Sequence, residues 1–189
     1  ALSIAAENGH AAVVSLLAEA KANVDCRSSS RKAPAIVLAA SYGHTPTVAA
    51  LVAAGARVNA VNRSGESALI VAAAMGAVDV VRVLLEGKAD ANIKNVEWQS
   101  GVPPGCTALH SASLFGQGDV VHTLLGARAD PHAVLQRPWM ATPLHLSPAS
   151  LSPGQVVRGL VRARADVDQA TRECTRGTGP RICQGRELW

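Results

Sequence analysis

The stretch of sequence that decides the fold is ALIVAAAMGAVDVVRVLLEGKADAN, which occupies residues 68–92. It contains a run of small apolar residues, Gly76, a Val-Val-x-x-Leu-Leu pattern and the phrase Lys88-Ala89-Asp90-Ala91-Asn92. Related phrases begin at positions 21, 55, 128 and 164, so that consecutive copies are 34, 33, 40 and 36 residues apart. A self-similar period of this length is the signature of a protein built from stacked repeats.

Each copy predicts a pair of short helices. Thr107 and Thr142 can each accept hydrogen bonds from the free N–H groups at the start of a first helix, and Pro143 suits the first helical turn. The Thr45-Pro46 pair is expected to cap a second helix in the same way. Glycines are expected to end the first helices with a positive φ, at Gly9, Gly43, Gly76 and Gly116. The Val/Leu pairs give each second helix a buried stripe.

Two further motifs recur in register with the closing phrase. One is Thr107-Ala108-Leu109-His110, repeated as Thr142-Pro143-Leu144-His145-Leu146, and the other is Asn8-Gly9-His10, repeated as Tyr42-Gly43-His44. Together these motifs resemble the ankyrin repeat. The resemblance implies an all-α solenoid of about five helix-turn-helix repeats, with hairpin or finger loops between them.

The expected array spans residues 1–168 and is followed by a flexible tail at 169–189, which is rich in Arg and Gly. The segment Val96–Pro104 predicts a lengthened finger, and Pro148 predicts a short or kinked last inner helix. The approximate repeat boundaries are 1–27, 28–61, 62–94, 95–134 and 135–168.

Composition excludes several classes of protein. Apolar residues make up 48% of the chain, charged residues 17%, and the net charge of +4 comes from no basic block, so nucleic acid is not expected as a partner. The four cysteines form no CxxC pair, and the chain has no apolar run long enough to span a membrane. We expect a cytoplasmic protein, with the nucleus as the alternative location, and no membrane association.

No motif predicts an enzyme. The sequence has neither a GxSxG elbow nor a glycine-rich phosphate loop, and we expect no cofactor. Cys106 and His110 are four residues apart, but a metal site needs three or four converging ligands, so no metal is expected. The resemblance implies that His110 and His145 bind backbone groups at the finger base.

The candidate binding residues follow from the family register. The position just before the glycine that ends each inner helix holds Tyr42, Met75 and Phe115 in consecutive repeats, with Leu114 beside Phe115. We expect these side chains to form an interaction row on the concave face. The alternative is that they pack against fingers or neighbouring helices. The expected flanking residues are two tryptophans in the lengthened fingers, Trp98 and Trp139, and a polar rim of Arg31, Arg63, Ser64 and Glu66.

The resemblance implies a non-catalytic protein–protein interaction module, a scaffold or adaptor that binds a protein partner on its concave face as a monomer. The alternative is a recruiting or regulatory ankyrin region of a larger enzyme, such as a kinase, an acyltransferase or a ubiquitin-ligase component. Nucleic-acid binding through the Arg-rich segment 172–186 is a third hypothesis.

Overall fold

The computed structural model describes residues 1–29, 31–97, 102–135, 141–147 and 153–165, and in these ranges the chain is helical with no strand. The predicted all-α ankyrin-type solenoid is confirmed. Two isolated β-bridges, Arg27 to Pro34 and Val61 to Ser67, close the bases of two fingers. The helices are α1 (Leu2–Glu7), α2 (Ala11–Glu19), α3 (Ala35–Ser41), α4 (Thr45–Ala53), α5 (Ala68–Met75), α6 (Val78–Glu86), α7 (Ala108–Leu114), α8 (Gly118–Gly126), α9 (Pro143–Leu146) and α10 (Pro153–Arg162).

The helices form two layers. The odd-numbered helices contact one another in sequence as an inner layer, and the even-numbered helices do so as an outer layer. Buried alanines on the inner helices, such as Ala39, Ala40, Ala72 and Ala73, let the two layers approach closely. Fully buried leucines fill the space between them. One helix pair cannot enclose such a core alone, so each repeat is stabilised by its neighbours.

The helix ends agree largely with the sequence prediction. Gly9, Gly43, Gly76 and Gly116 all have φ between 70° and 76°, as expected. Thr107 and Thr142 cap α7 and α9 with their side chains, also as expected.

The expectation for Thr45 is wrong. His44 is the N-cap of α4 and Thr45 is its first helical residue. The left-handed Gly43 turns the chain so sharply that the next residue already occupies the cap position. The last inner helix, α9, has only four residues, which agrees with the expected effect of Pro148. Pro148 itself lies outside the described residues.

A series of hydrogen bonds joins the turns that end successive repeats. The side-chain Oδ1 atom of Asp25 accepts from the Arg57 N–H at 2.8 Å. Asn59 Oδ1 accepts from the Asp90 N–H at 2.8 Å, and Asn92 Oδ1 accepts from the Asp130 N–H at 3.0 Å. Each bond therefore joins a turn to the equivalent turn of the next repeat, and we call this series the turn ladder.

A small second apolar cluster lies beside the main core. It consists of Val102, Cys106, Leu135, Ala141 and Leu146, and Leu114 and Phe115 pack against it half-buried. Val102 belongs to the predicted finger segment Val96–Pro104, of which residues 98–101 lie outside the described ranges. The predicted tail at 169–189 also lies outside them.

Candidate functional site

The inner helices and fingers enclose a groove of about 730 Å³, which we call the inner groove. Its walls come from α3, α5, the end of α7 and the fingers that precede these helices. A concave, mainly apolar site with a few polar groups is the usual form of a binding site. The apolar lining includes Val37, Leu38, Val71, Met75, Val102 and Phe115, and the polar lining includes Arg31, Ser41, Asn62 and Glu66.

The three side chains of the predicted row do not all lie on one surface in the structure. Met75 is 60% exposed and lines the inner groove. Phe115 also lines the groove, but it is half-buried because one side of its ring packs on the second apolar cluster. Tyr42 is 45% exposed and is not among the groove-lining residues. Met75 and Phe115 thus share one surface, while Tyr42 belongs to a neighbouring contact network.

That network joins the first two repeats. The Tyr42 ring stacks on His44, with ring centroids 5.9 Å apart, and the Arg31 guanidinium lies 5.7 Å from the centroid of the Tyr42 ring. Arg31 also forms a salt bridge of 3.6 Å with Glu7. The Tyr42 hydroxyl lies 3.5 Å from the same Glu7 oxygen. The Glu7 carboxylate and the Tyr42 ring therefore hold the Arg31 guanidinium toward the first repeat.

The expectation of an exposed polar rim is wrong for Ser64 and Glu66, which are only 6% and 4% exposed. The backbone of the next finger contacts this segment at Ser64: the N–H groups of Val96 and Glu97 both donate to the Ser64 carbonyl oxygen, at 2.9 and 3.2 Å. Gly65 lies against the same segment, where a Cβ atom would come within 2.8 Å of the Val96 nitrogen. Contact between adjacent fingers therefore buries this fingertip.

The other predicted site residues divide by exposure. Arg31 and Arg63 are exposed, as a rim requires, and Leu114 is half-buried beside Phe115. Trp98 and Trp139 lie outside the described residues.

Glu66 occupies a structurally repeated position. It directly precedes the N-cap of an inner helix, as do Ala33, Cys106 and Ala141 in the other repeats. All four residues are buried, but only Glu66 carries a carboxyl group. Aligning the repeats on their N-caps would have revealed this signal in the sequence, because a charged residue replaces small apolar ones.

Asn62 holds Glu66 in place from within the same finger. The Asn62 Nδ2 atom donates to Glu66 Oε2 at 2.8 Å, and Asn62 Oδ1 accepts from the Glu66 N–H at 2.9 Å. Burial raises the pKa of Glu66, because a carboxylate loses hydration there, while the hydrogen bond from Asn62 lowers it. The result is a rigidly positioned carboxyl group in the wall of a mainly apolar groove.

Two other titratable groups beside the groove have structural roles. His110 is fully buried, and its Nδ1 and Nε2 atoms lie 2.9 Å from Thr107 Oγ1 and 3.2 Å from the Ala141 carbonyl oxygen. It therefore joins the base of its own finger to that of the next, as the resemblance implied. Burial raises the pKa of the Cys106 thiol, and the negative charge of Glu66 raises it further, so the thiolate form needed for nucleophilic attack is suppressed.

Within the described ranges, no three His, Cys, Asp or Glu side chains come together as a metal site would require. None of the helices in those ranges has the length and apolar character needed to cross a membrane.

Comparison with known families agrees with this architecture. A family model described as ankyrin repeats (3 copies) matches residues 2–95, and a second, described as ankyrin repeats (many copies), matches residues 72–125. No curated protein matches the chain. Together the two matches cover residues 2–125, which include helices α1 to α7 and most of α8. The chain belongs to the ankyrin repeat family.

Proposed function

We propose that this array is a non-catalytic protein-interaction module that binds an extended segment of a protein partner in the inner groove. The observation that carries the proposal is the exposure of Met75, an apolar side chain that is 60% exposed in a mainly apolar concavity. Ankyrin repeats generally mediate protein–protein interaction. Our proposal goes further in two respects: the partner binds in the inner groove, and the bound segment is extended.

The groove has the features of an interaction site. Methionine is flexible and polarisable, so Met75 can adapt to different apolar side chains of a partner. Phe115 adds a ring that is fixed on one side by Val102 and its neighbours. Both side chains stand at the ends of inner helices whose backbone is already ordered, so binding costs little conformational entropy.

The test compares two variants, each of which replaces an exposed apolar residue with a glutamate. Met75→Glu places a carboxylate in the groove, whereas Leu16→Glu does the same on the outer helix α2, where Leu16 is 64% exposed. Both proteins would be used to select short random peptides from a displayed library. Because the two positions are similarly exposed, both variants should fold as the wild type does, which circular dichroism checks.

We expect wild-type protein and Leu16→Glu to enrich the same peptides, and Met75→Glu to lose them. Loss of a hot-spot residue in an interface costs about 2 kcal/mol or more, so the peptides should bind Met75→Glu at least about tenfold more weakly. Equal enrichment by Met75→Glu and wild type, or no enrichment by the wild type, would refute the proposed site.

A further inference from the structure

Glu66 stands out because the described part of the chain provides no cation for it. The ion pairs formed there are Arg31 with Glu7, Arg57 with Asp25, and Arg82 with Asp79. Within the same ranges, Oε2 of Glu66 accepts a hydrogen bond from Asn62 and Oε1 accepts none. Among the residues that the structure describes, this carboxylate, which is 4% exposed, therefore faces the groove with one neutral donor.

The cationic residue among the described lining residues of the groove does not fill this role. Arg31 lines the groove, but its guanidinium is engaged by Glu7 at 3.6 Å and lies over the Tyr42 ring. It forms no ion pair with Glu66 within 4.0 Å. Arg31 is thus paired with Glu7 and not with Glu66.

A buried carboxylate is costly to keep in a protein unless it is paired. In two other repeats the same position holds alanine, Ala33 and Ala141, so the fold itself does not require a charged side chain there. A cationic group that enters the groove would replace the hydration that Glu66 loses on burial. Charge-assisted hydrogen bonds of this kind are roughly twice as strong as neutral ones.

We propose that the segment bound in the inner groove carries a lysine or arginine side chain that reaches Glu66, next to an apolar side chain that lies against Met75 and Phe115. This inference rests on the proposed function and specifies the chemistry of the partner. The partner segment is thus basic and apolar at adjacent positions, and an acidic segment is disfavoured by the Glu66 charge.

The test uses the same displayed library of short random peptides with three forms of the protein. Glu66→Gln keeps the shape of the side chain and one acceptor oxygen for Asn62 but removes the charge. Glu66→Ala introduces the residue found at the equivalent positions 33 and 141. The peptide that the wild type enriches most is then synthesised with its basic residue either intact or replaced by norleucine, which retains the aliphatic stem.

We expect wild-type peptides to share one basic position beside an apolar one, and the peptides enriched by Glu66→Gln or Glu66→Ala to keep only the apolar one. The intact peptide should bind Glu66→Gln about 10- to 100-fold more weakly than the wild type. The norleucine peptide should bind Glu66→Gln at least as tightly as it binds the wild type, because it offers Glu66 no cation and its aliphatic stem removes water from the carboxylate.

The outcomes separate this inference from the proposed function. Peptides that require Met75 but have no basic position, or that bind wild type and Glu66→Gln with the same Kd, would overturn the role of Glu66 and leave the groove as the binding site. If the wild type enriched no peptide at all, the proposed function itself would fail.

Discussion

Mild acid should destabilise the array through one buried imidazole. The Thr107 N–H donates to His110 Nδ1 at 3.3 Å, so Nδ1 is an acceptor and the ring proton lies on Nε2, which faces the Ala141 carbonyl oxygen. Burial lowers the pKa of His110 to about 4, and the nearby positive charge of Lys94 adds to this, while the hydrogen bond to Ala141 opposes it. Protonation would place an N–H on Nδ1 against the N–H of Thr107.

The sign and size of the effect follow from the difference between the ordinary histidine pKa of 6.5 and the lowered pKa of about 4 in the folded protein. Between pH 6.5 and about 4 the unfolded chain binds more protons at this residue than the folded chain does. The stabilisation is therefore fully present above pH 6.5 and is lost as the pH falls toward 4. The free energy of unfolding should decrease by about 2 kcal/mol between about pH 7.5 and pH 5 from His110 alone.

Urea unfolding followed by circular dichroism measures this change, and His110→Gln isolates it from the other titrating groups. A loss of about 2 kcal/mol corresponds to a midpoint lower by about 1 M urea, for an m-value of about 2 kcal/mol/M. Because His110→Gln lacks the titrating ring, its free energy of unfolding should decrease by about 2 kcal/mol less over the same interval. If both proteins lost the same stability on acidification, the imidazole would not be responsible and this reasoning would be refuted.

Two further predictions concern the fingers and the turn ladder. Gly65→Ala should lower the free energy of unfolding more than Gly43→Ala, because both glycines have a positive φ but only at Gly65 would a Cβ meet the backbone of Val96. Thermal melts of the two variants measure the difference, and equal losses would count against the steric argument. Asn59→Ala and Asn92→Ala should each cost about 1 kcal/mol in urea unfolding, since each removes one hydrogen bond of the ladder. A loss at Asn59 alone would mean that the longer spacing after Asn92 weakens the ladder.

The helix pairs could be predicted because their signals are local and repeated. A left-handed glycine, a capping threonine and a Val/Leu stripe each depend on a few neighbouring residues, and the same signals occur in several copies. The prediction for Thr45 was wrong by one residue because the neighbouring glycine already turns the chain. Errors of this size do not change the stacking of the helices.

The candidate site could be predicted only in part because it depends on contacts between repeats. Met75 is exposed at the end of α5, but Ser64 is bonded through its carbonyl oxygen to the N–H groups of Val96 and Glu97, about thirty residues further along the chain. Tyr42 was likewise expected beside Met75, yet its ring is engaged by Arg31. Sequence position predicts the face of a helix, whereas exposure at a fingertip depends on how the neighbouring finger is folded.

The turn ladder determines which parts of this protein can change independently. Its first two bonds join residues 32 and 31 positions apart, and its third joins residues 38 positions apart with nearly the same length. The additional residues after Asn92 therefore leave the hydrogen bond between these two turns in place. The length of this finger can consequently change during evolution or in engineering, while the register of the helices is kept by the turns.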